Sequence, residues 1–222
     1  IVEFRDAPPF NRIRFVTLFT TVFLLTVIAK GKAEPTTLTQ ALSSFGMIVG
    51  HTIDVPYSPV RLVVLMLPNY ASGEIVASVR TAAGLAYTIS LLALVVFVLI
   101  VRVGGWPVRR GPFNVWVNLP LFDPTAGGDV VLRLRRDARF NIAFGFLLPF
   151  VIPAVVKATS DLIDPITLQH PQTLVWTITA WAFLPASMIM RGIAMSRVAS
   201  LIEAKRKRAY ANAAENAKYQ TA

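Results

Sequence analysis

Three residues of this chain have side chains that together could bind a metal ion. His51 and Asp54 are three positions apart, so they would share a face of a helix, and His170 is the other histidine of the chain. Imidazole nitrogens and carboxylate oxygens are ligands for zinc and similar ions. However, the spacing matches no zinc signature, and nothing in the sequence brings His170 close to His51. The three residues are a weak candidate metal site, and we predict no bound metal and no cofactor.

Other catalytic patterns are missing from the sequence. The chain contains no cysteine, which excludes a thiolate nucleophile and a thiolate metal site. No glycine-rich segment carries the lysine of a phosphate-binding loop, and no serine occupies a nucleophile elbow. The long apolar segments lack ionisable residues in their middles, where a proton relay or an ion-coupled carrier would need them. We therefore predict no catalytic residues.

The elements that position these residues are strongly apolar. Hydrophobic residues make up 55% of the chain, charged residues 15%, and the mean hydropathy is +0.58, whereas a soluble domain has about 25% charged residues. A helix crosses a bilayer with about 20 apolar residues. Four segments approach or reach this length and are predicted to be transmembrane helices: 15–29, 81–102, 140–157 and 171–191. The predicted fold class is an all-α integral membrane protein.

The distribution of positive charge predicts the orientation of these helices. Lys and Arg concentrate in the N-terminal flank 1–14, in the loop 103–139 and in the tail 192–222, whereas segments 31–80 and 158–170 hold few. Positively charged flanks stay on the cytoplasmic side or its equivalent. Both termini are therefore predicted on that side, and the tail is predicted to be a basic helical extension. We expect a bacterial or mitochondrial inner membrane.

The external segment 31–80 contains two further apolar elements. Apolar residues recur at steps of three and four over 37–53, after a start marked by Pro35 and by Thr36 or Thr37, which predicts an amphipathic helix. This helix would lie on the membrane surface or pack on a neighbouring subunit. The apolar segment 61–68 is too short to span a bilayer. It is expected to be re-entrant, interfacial or covered by a partner.

The loop 103–139 is rich in Gly and Pro and ends in alternating Leu and Arg. Residues 130–140, VVLRLRRDARF, are compatible with a short strand or with the basic start of the third membrane helix. As a strand, this segment could pair with NVWV at 114–117 in a small hairpin. The short external loop 158–170 follows the third helix.

The basic residues are predicted to contact anionic phospholipids or acidic partners. A juxtamembrane Lys or Arg gains about 1 kcal/mol near an anionic membrane surface. A nucleic-acid partner is not expected, because the basic stretches lack interleaved aromatic residues for base stacking. The residues predicted to face lipid or a partner are Arg133, Arg135, Arg136, Arg139, Lys205, Arg206, Lys207 and Arg208.

Three prolines interrupt the predicted membrane helices. Pro149 and Pro153 lie in the third helix and Pro185 lies in the fourth. Each proline removes a backbone hydrogen bond and displaces the carbonyl four residues earlier, so we predict a kink at each position. Bilayer helices tolerate the loss when a neighbouring helix satisfies the freed groups. For the first two prolines, the freed carbonyls are expected at Gly145 and at Pro149 itself.

The combined pattern favours a non-catalytic accessory subunit of a larger membrane complex, of the energy-converting or secretion type. Such a subunit would act through helix packing, lipid contact and docking of its basic tail to other membrane subunits. One alternative is a small channel or carrier that uses the proline-broken third and fourth helices. A second alternative is a membrane enzyme with an external metal site at His51, Asp54 and His170.

Overall fold

The described residues form six helices and no strand. The structure is a computed structural model that describes residues 9–107, 129–159, 168 and 170–220, and side chains from 10 to 213 within these ranges. The helices are α1 (Pro9–Gly31), α2 (Thr37–Ile53), α3 (Pro59–Leu65), α4 (Gly73–Arg102), α5 (Val130–Thr159) and α6 (Pro171–Gln220). The all-helical prediction is therefore confirmed for this part of the chain.

Four of these helices are long and apolar enough to cross a membrane, which indicates an integral membrane protein. They are α1, α4, α5 and the first part of α6. Large apolar side chains on the outer faces of α1, α4 and α5 are exposed, among them Phe15, Phe19 and Phe23. These three rings stack along one face of α1, with centroids 6.1 and 5.9 Å apart. Such a surface is stable in contact with lipid or with other apolar helices.

Helix α6 is the centre of the bundle. It packs against α5, α4 and α1. In its most apolar stretch of 18 residues, 56% of the residues are buried, compared with 17% in the corresponding stretches of α1 and α5. The predicted fourth membrane helix and the predicted basic tail are one continuous helix, Pro171–Gln220. Its 50 residues extend over about 75 Å, well beyond the thickness of a bilayer.

Local sequence sets where α2, α3 and α4 start. Thr36 caps α2 in a reciprocal capping box with Thr39, in which each threonine hydroxyl accepts the other residue's backbone N–H. Ser58 caps α3, and Pro59 occupies its first turn, where a missing N–H costs nothing. Ser72 caps α4 by accepting the N–H of Ile75.

The bundle has two ends, each with its own hydrophobic core. The α2 end contains α2, α3 and the start of α4, and its core contains Leu25, Val63, Val79 and Trp181. The tail end contains the start of α5 and the extension of α6, and its core contains Phe10, Phe97, Trp106, Met190 and Met195. At the tail end, the Phe97 ring lies 5.6 Å from Phe10 and 6.2 Å from Trp106, measured between centroids.

Helix α2 packs through its small residues and leaves its apolar face exposed. A Cβ on Gly84 of α4 would lie 2.5 Å from the Cα of Gly50, so the two backbones touch at this point. The opposite side of α2 exposes Leu38, Phe45 and Ile48. The amphipathic face therefore does not cover this chain's own core, and the prediction that it contacts a membrane surface or another subunit stays open.

Residues 130–140, whose sequence is compatible with a strand or with a helix start, form the first turns of α5. The helix forms because Val131 and Leu134 face the core while the arginines project to solvent or to α6. The proposed pairing segment 114–117 lies outside the described residues. So do the N-terminal positions 1–8 and most of the loop 158–170.

Candidate functional site

The structure does not bring the three candidate metal ligands together. Among the described residues, no three His, Asp or Glu side chains come together to hold a metal ion. His51 and His170 are both solvent-exposed. Asp54 follows the last turn of α2, and its side chain is only 7% exposed. Although His51 and Asp54 are three positions apart, the His51 side chain is exposed to solvent and the Asp54 side chain is buried.

Asp54 instead forms a buried ion pair that fastens the end of α2 to the bundle. Its Oδ2 accepts a hydrogen bond from Arg80 Nε on α4 at 2.7 Å, and it lies 3.5 Å from Arg61 Nη1 on α3. Three helices thus meet at one carboxylate. The predicted ligand of a metal is a structural counter-ion for two arginines, because a largely buried carboxylate is stable only when it is paired.

The predicted basic residues divide into paired and exposed groups. Arg135 of α5 pairs with Glu203 of α6, and Lys207 lies 3.9 Å from the same carboxylate. Arg136 lies 3.6 Å from the neighbouring Asp137. The pair of Arg135 and Glu203 joins the start of α5 to the extension of α6, whereas the other two contacts lie within one helix. Part of the positive charge is therefore already balanced within the chain. A role at a lipid surface for these residues stays a prediction.

Asp129 forms a second link at the same end. Its Oδ1 accepts the Val131 N–H at 3.0 Å, which starts α5, and it accepts Arg206 Nη1 at 2.9 Å. The Val131 N–H and, next, the Arg206 guanidinium stabilise the charged carboxylate and hold the pKa of Asp129 below its usual value. Arg206 is therefore a partner of this acid rather than a free docking charge.

Three of the predicted basic residues remain available to a partner. Arg139, Lys205 and Arg208 are exposed, and no ion pair joins them to another part of the chain that the structure describes. Lys205 and Arg208 lie on the extension of α6, beyond the packed bundle. Arg133, the remaining predicted residue, lies half-buried in the first turns of α5.

The prolines mark a joint between α5 and α6. All three lie inside helices, and the kinks stay a prediction. Pro153 has no N–H to offer the carbonyl of Pro149, and the Trp181 indole of α6 supplies the missing donor, with Nε1 3.1 Å from that oxygen. A Cβ on Gly145 would lie 2.6 Å from the carbonyl oxygen of Pro185, so the two helices are also in close backbone contact here.

Sequence reasoning missed the residues that make these joints. The freed carbonyl of Pro149 was predictable, but its donor depends on the register between α5 and α6, which no local pattern specifies. The Gly46-xxx-Gly50 spacing of α2 did carry a usable signal, since small residues four apart mark close helix contacts in membranes. Glu203 and Asp129, which pair with predicted basic residues, carried no such signal.

A cavity opens in the described part of the bundle at the α2 end. It has a volume of about 540 Å³ and lies between α1, α2, α4 and the start of α6. Its walls are mostly apolar, and charged side chains at its mouth come from Lys32 and Glu74. Sequence analysis did not anticipate this cavity, because its walls come from four separate elements.

Comparison of the chain with protein-family models, with curated proteins and with solved structures found no match.

Proposed function

We propose that this protein is a non-catalytic accessory subunit of a larger membrane complex. The tail end faces the cytoplasm or the mitochondrial matrix, and the α2 end faces the opposite side of a bacterial or mitochondrial inner membrane. The supports for this orientation are the positive flanks at the tail end and the four long apolar helices. The complex would be of the energy-converting or secretion type.

The observation that carries the proposal is the extension of α6 beyond the bundle. After Glu203 the helix continues to Gln220, over about 25 Å, and its side chains from residue 204 to 213 are exposed. Most of the stability of a protein helix comes from packing against a neighbour rather than from intrinsic propensity. A protruding helix with unpaired Lys205 and Arg208 is suited to docking on an acidic surface of another subunit.

The membrane part offers a second contact surface. Phe15, Phe19 and Phe23 stack along α1 with exposed rings, and Leu38, Phe45 and Ile48 are exposed on α2. Lipid would cover them, and so would helices of other subunits. Anionic phospholipids are the expected neighbours of the exposed basic residues near the tail end.

The test is purification in a mild detergent with the full chain as bait. We expect fixed stoichiometric recovery of other membrane subunits, and loss of these subunits from a variant truncated after Arg208. This truncation keeps Glu203 and Arg206, so the links to α5 remain. As a matched charge test, Lys205→Ala with Arg208→Ala is expected to weaken recovery, whereas Lys30→Ala at the α2 end is not.

A chain that purifies alone as a stable species and moves a solute across liposomes would overturn this proposal in favour of the channel or carrier alternative. That alternative depended on a freed proline carbonyl as a solute site. The Trp181 indole already donates a hydrogen bond to the carbonyl of Pro149. The enzyme alternative depended on a metal at His51, Asp54 and His170, and Asp54 is paired with arginines.

A further inference from the structure

We propose that the cavity at the α2 end binds one acyl chain of a zwitterionic phospholipid, with the lipid phosphate beside Lys32 and its ammonium group beside Glu74. The inference concerns a different part of the molecule from the docking helix and does not depend on the accessory role.

The walls of the cavity suit a hydrocarbon chain. The apolar lining includes Leu25 and Ile28 of α1, Met47 of α2, and Leu174 and Val175 of α6. A volume of about 540 Å³ falls within the roughly 300–1,000 Å³ of protein ligand sites. Water gains few hydrogen bonds in so apolar a space, whereas an acyl chain removes its own surface and that of the walls from water.

The mouth of the cavity carries two opposite charges side by side. Lys32 Nζ lies 3.6 Å from Glu74 Oε1 and also donates a hydrogen bond to Ser78 Oγ. The two side chains are 50% and 83% exposed, so both can reach a headgroup. Ser43 and Ser72 complete the polar part of the lining.

This pair of charges distinguishes between lipid headgroups. A zwitterionic headgroup presents a phosphate to the ammonium of Lys32 and an ammonium group to the carboxylate of Glu74. A purely anionic headgroup would meet Glu74 with no compensating positive charge of its own. The first turn of α4, which also lines the cavity, adds the partial positive charge of a helix start near the phosphate position.

The position of the cavity fits a lipid of one leaflet. It is lined by the end of α1 and the starts of α4 and α6, and the ends of membrane helices lie where the acyl region of a bilayer gives way to headgroups. Exposed apolar side chains of α1 and α2, among them Phe23 and Phe45, belong to the same two helices that line the cavity. The proposed lipid would place its chain in the cavity and its headgroup at the membrane surface.

The test is native mass spectrometry of the purified full chain after exchange with dioleoyl-phosphatidylethanolamine or dioleoyl-phosphatidylglycerol. We expect one phosphatidylethanolamine to be retained preferentially. Lys32→Ala should lower retention about fivefold, as expected for loss of one charged headgroup contact. Lys32→Arg should restore it. Lys30→Ala is the matched control, because Lys30 pairs with Glu34 outside the cavity and should leave retention unchanged.

Two further variants test the headgroup and the chain separately. Glu74→Gln is expected to shift the preference toward phosphatidylglycerol, whereas Glu34→Gln should not. Ala77→Trp should reduce retention of both lipids by filling the cavity. Preferential retention of phosphatidylglycerol by the wild type would overturn the headgroup assignment. Equal retention by the wild type, Lys32→Ala and Ala77→Trp would show only adventitious lipid and overturn the site.

Discussion

The two ends of this bundle are built in different ways. At the tail end, large aromatic and methionine side chains fill the core, and exposed ion pairs join α5 to the extension of α6. At the α2 end, glycines and alanines bring helices into backbone contact, a buried ion pair holds α2 and α3, and a cavity of about 540 Å³ remains open.

The two ends are stabilised by different kinds of packing. Close packing of large side chains leaves little free volume, so we expect the tail end to behave as a rigid base for the protruding helix. Backbone contacts between small residues depend on a few positions and leave space beside them. We therefore expect the α2 end to be sensitive to single substitutions. The following predictions test this comparison.

The largest loss of stability is expected where α5 packs against α6 near Pro149. Trp181→Ala removes a buried indole and leaves the Pro149 carbonyl without its donor, and we expect a loss of about 3–5 kcal/mol in the free energy of unfolding. Thermal unfolding in detergent measures it. Trp176→Ala is the matched control, because Trp176 is exposed on the same helix. Similar losses for both variants would contradict the assignment of Trp181 as the donor.

The next effect concerns the backbone contact between α2 and α4. Gly84→Ala places a Cβ 2.5 Å from the Cα of Gly50, and the helices must separate. We expect a destabilisation of about 1–3 kcal/mol, typical of overpacking, by thermal unfolding in the same detergent. Gly73→Ala, in the first turn of α4, meets no atom within 4 Å and should have no adverse effect. Equal stability of the two variants would contradict a tight contact here.

The ion pairs of the two ends should differ in strength. Asp54→Asn leaves the mostly buried Arg80 without its counter-ion, and we expect a loss of about 1–3 kcal/mol. Glu203→Gln breaks exposed pairs at the tail end, for which about 0.2–1 kcal/mol is expected. Denaturation of both variants at low and high salt gives the comparison. Only the Glu203 effect should shrink markedly with salt, and the reverse order would refute the contrast between the ends.

The smallest effect is the pH dependence of the Asp129 link. Because the pKa of Asp129 is lowered in the folded state, its contribution to stability is complete above the usual value of 3.8 and is lost as the pH falls through the lower folded value. The difference in unfolding temperature between the wild type and Asp129→Asn should therefore be larger at pH 7 than at pH 3. A difference that grows toward acidic pH would contradict the depressed pKa.

Much of the helical framework was predictable because it depends on local patterns. The uncharged run between Arg80 and Arg102 predicts a membrane helix without any knowledge of its neighbours, and α4 contains it. The periodicity of 37–53 predicted a helix, and the structure has α2 there. The outcome at 130–140 was open, since alternating Leu and Arg suits a strand as well as the start of a helix. Packing of Leu134 in the tail-end core accompanies the helical form.

The candidate site was less predictable, because its chemistry depends on residues distant in sequence. Asp54 had the right type for a metal ligand, but Arg80 lies 26 positions later, and only the packing of α2 on α4 brings it to 2.7 Å. The sequence predicted that Arg135 and Arg206 face lipid or a partner, and in the structure they pair with Glu203 and Asp129. A local pattern reports the type and periodicity of residues, but not which distant side chain meets them.

By itself, the sequence determined that this protein is helical, strongly apolar and asymmetric in charge, since length, hydropathy and periodicity are sums over neighbouring residues. Only the tertiary structure decided that the Trp181 indole donates to the Pro149 carbonyl, which Pro153 leaves without a backbone donor. It also decided that Asp54 is the counter-ion of Arg80, and that four elements enclose a cavity. These features depend on the register and rotation of whole helices, which many weak contacts along their length select together.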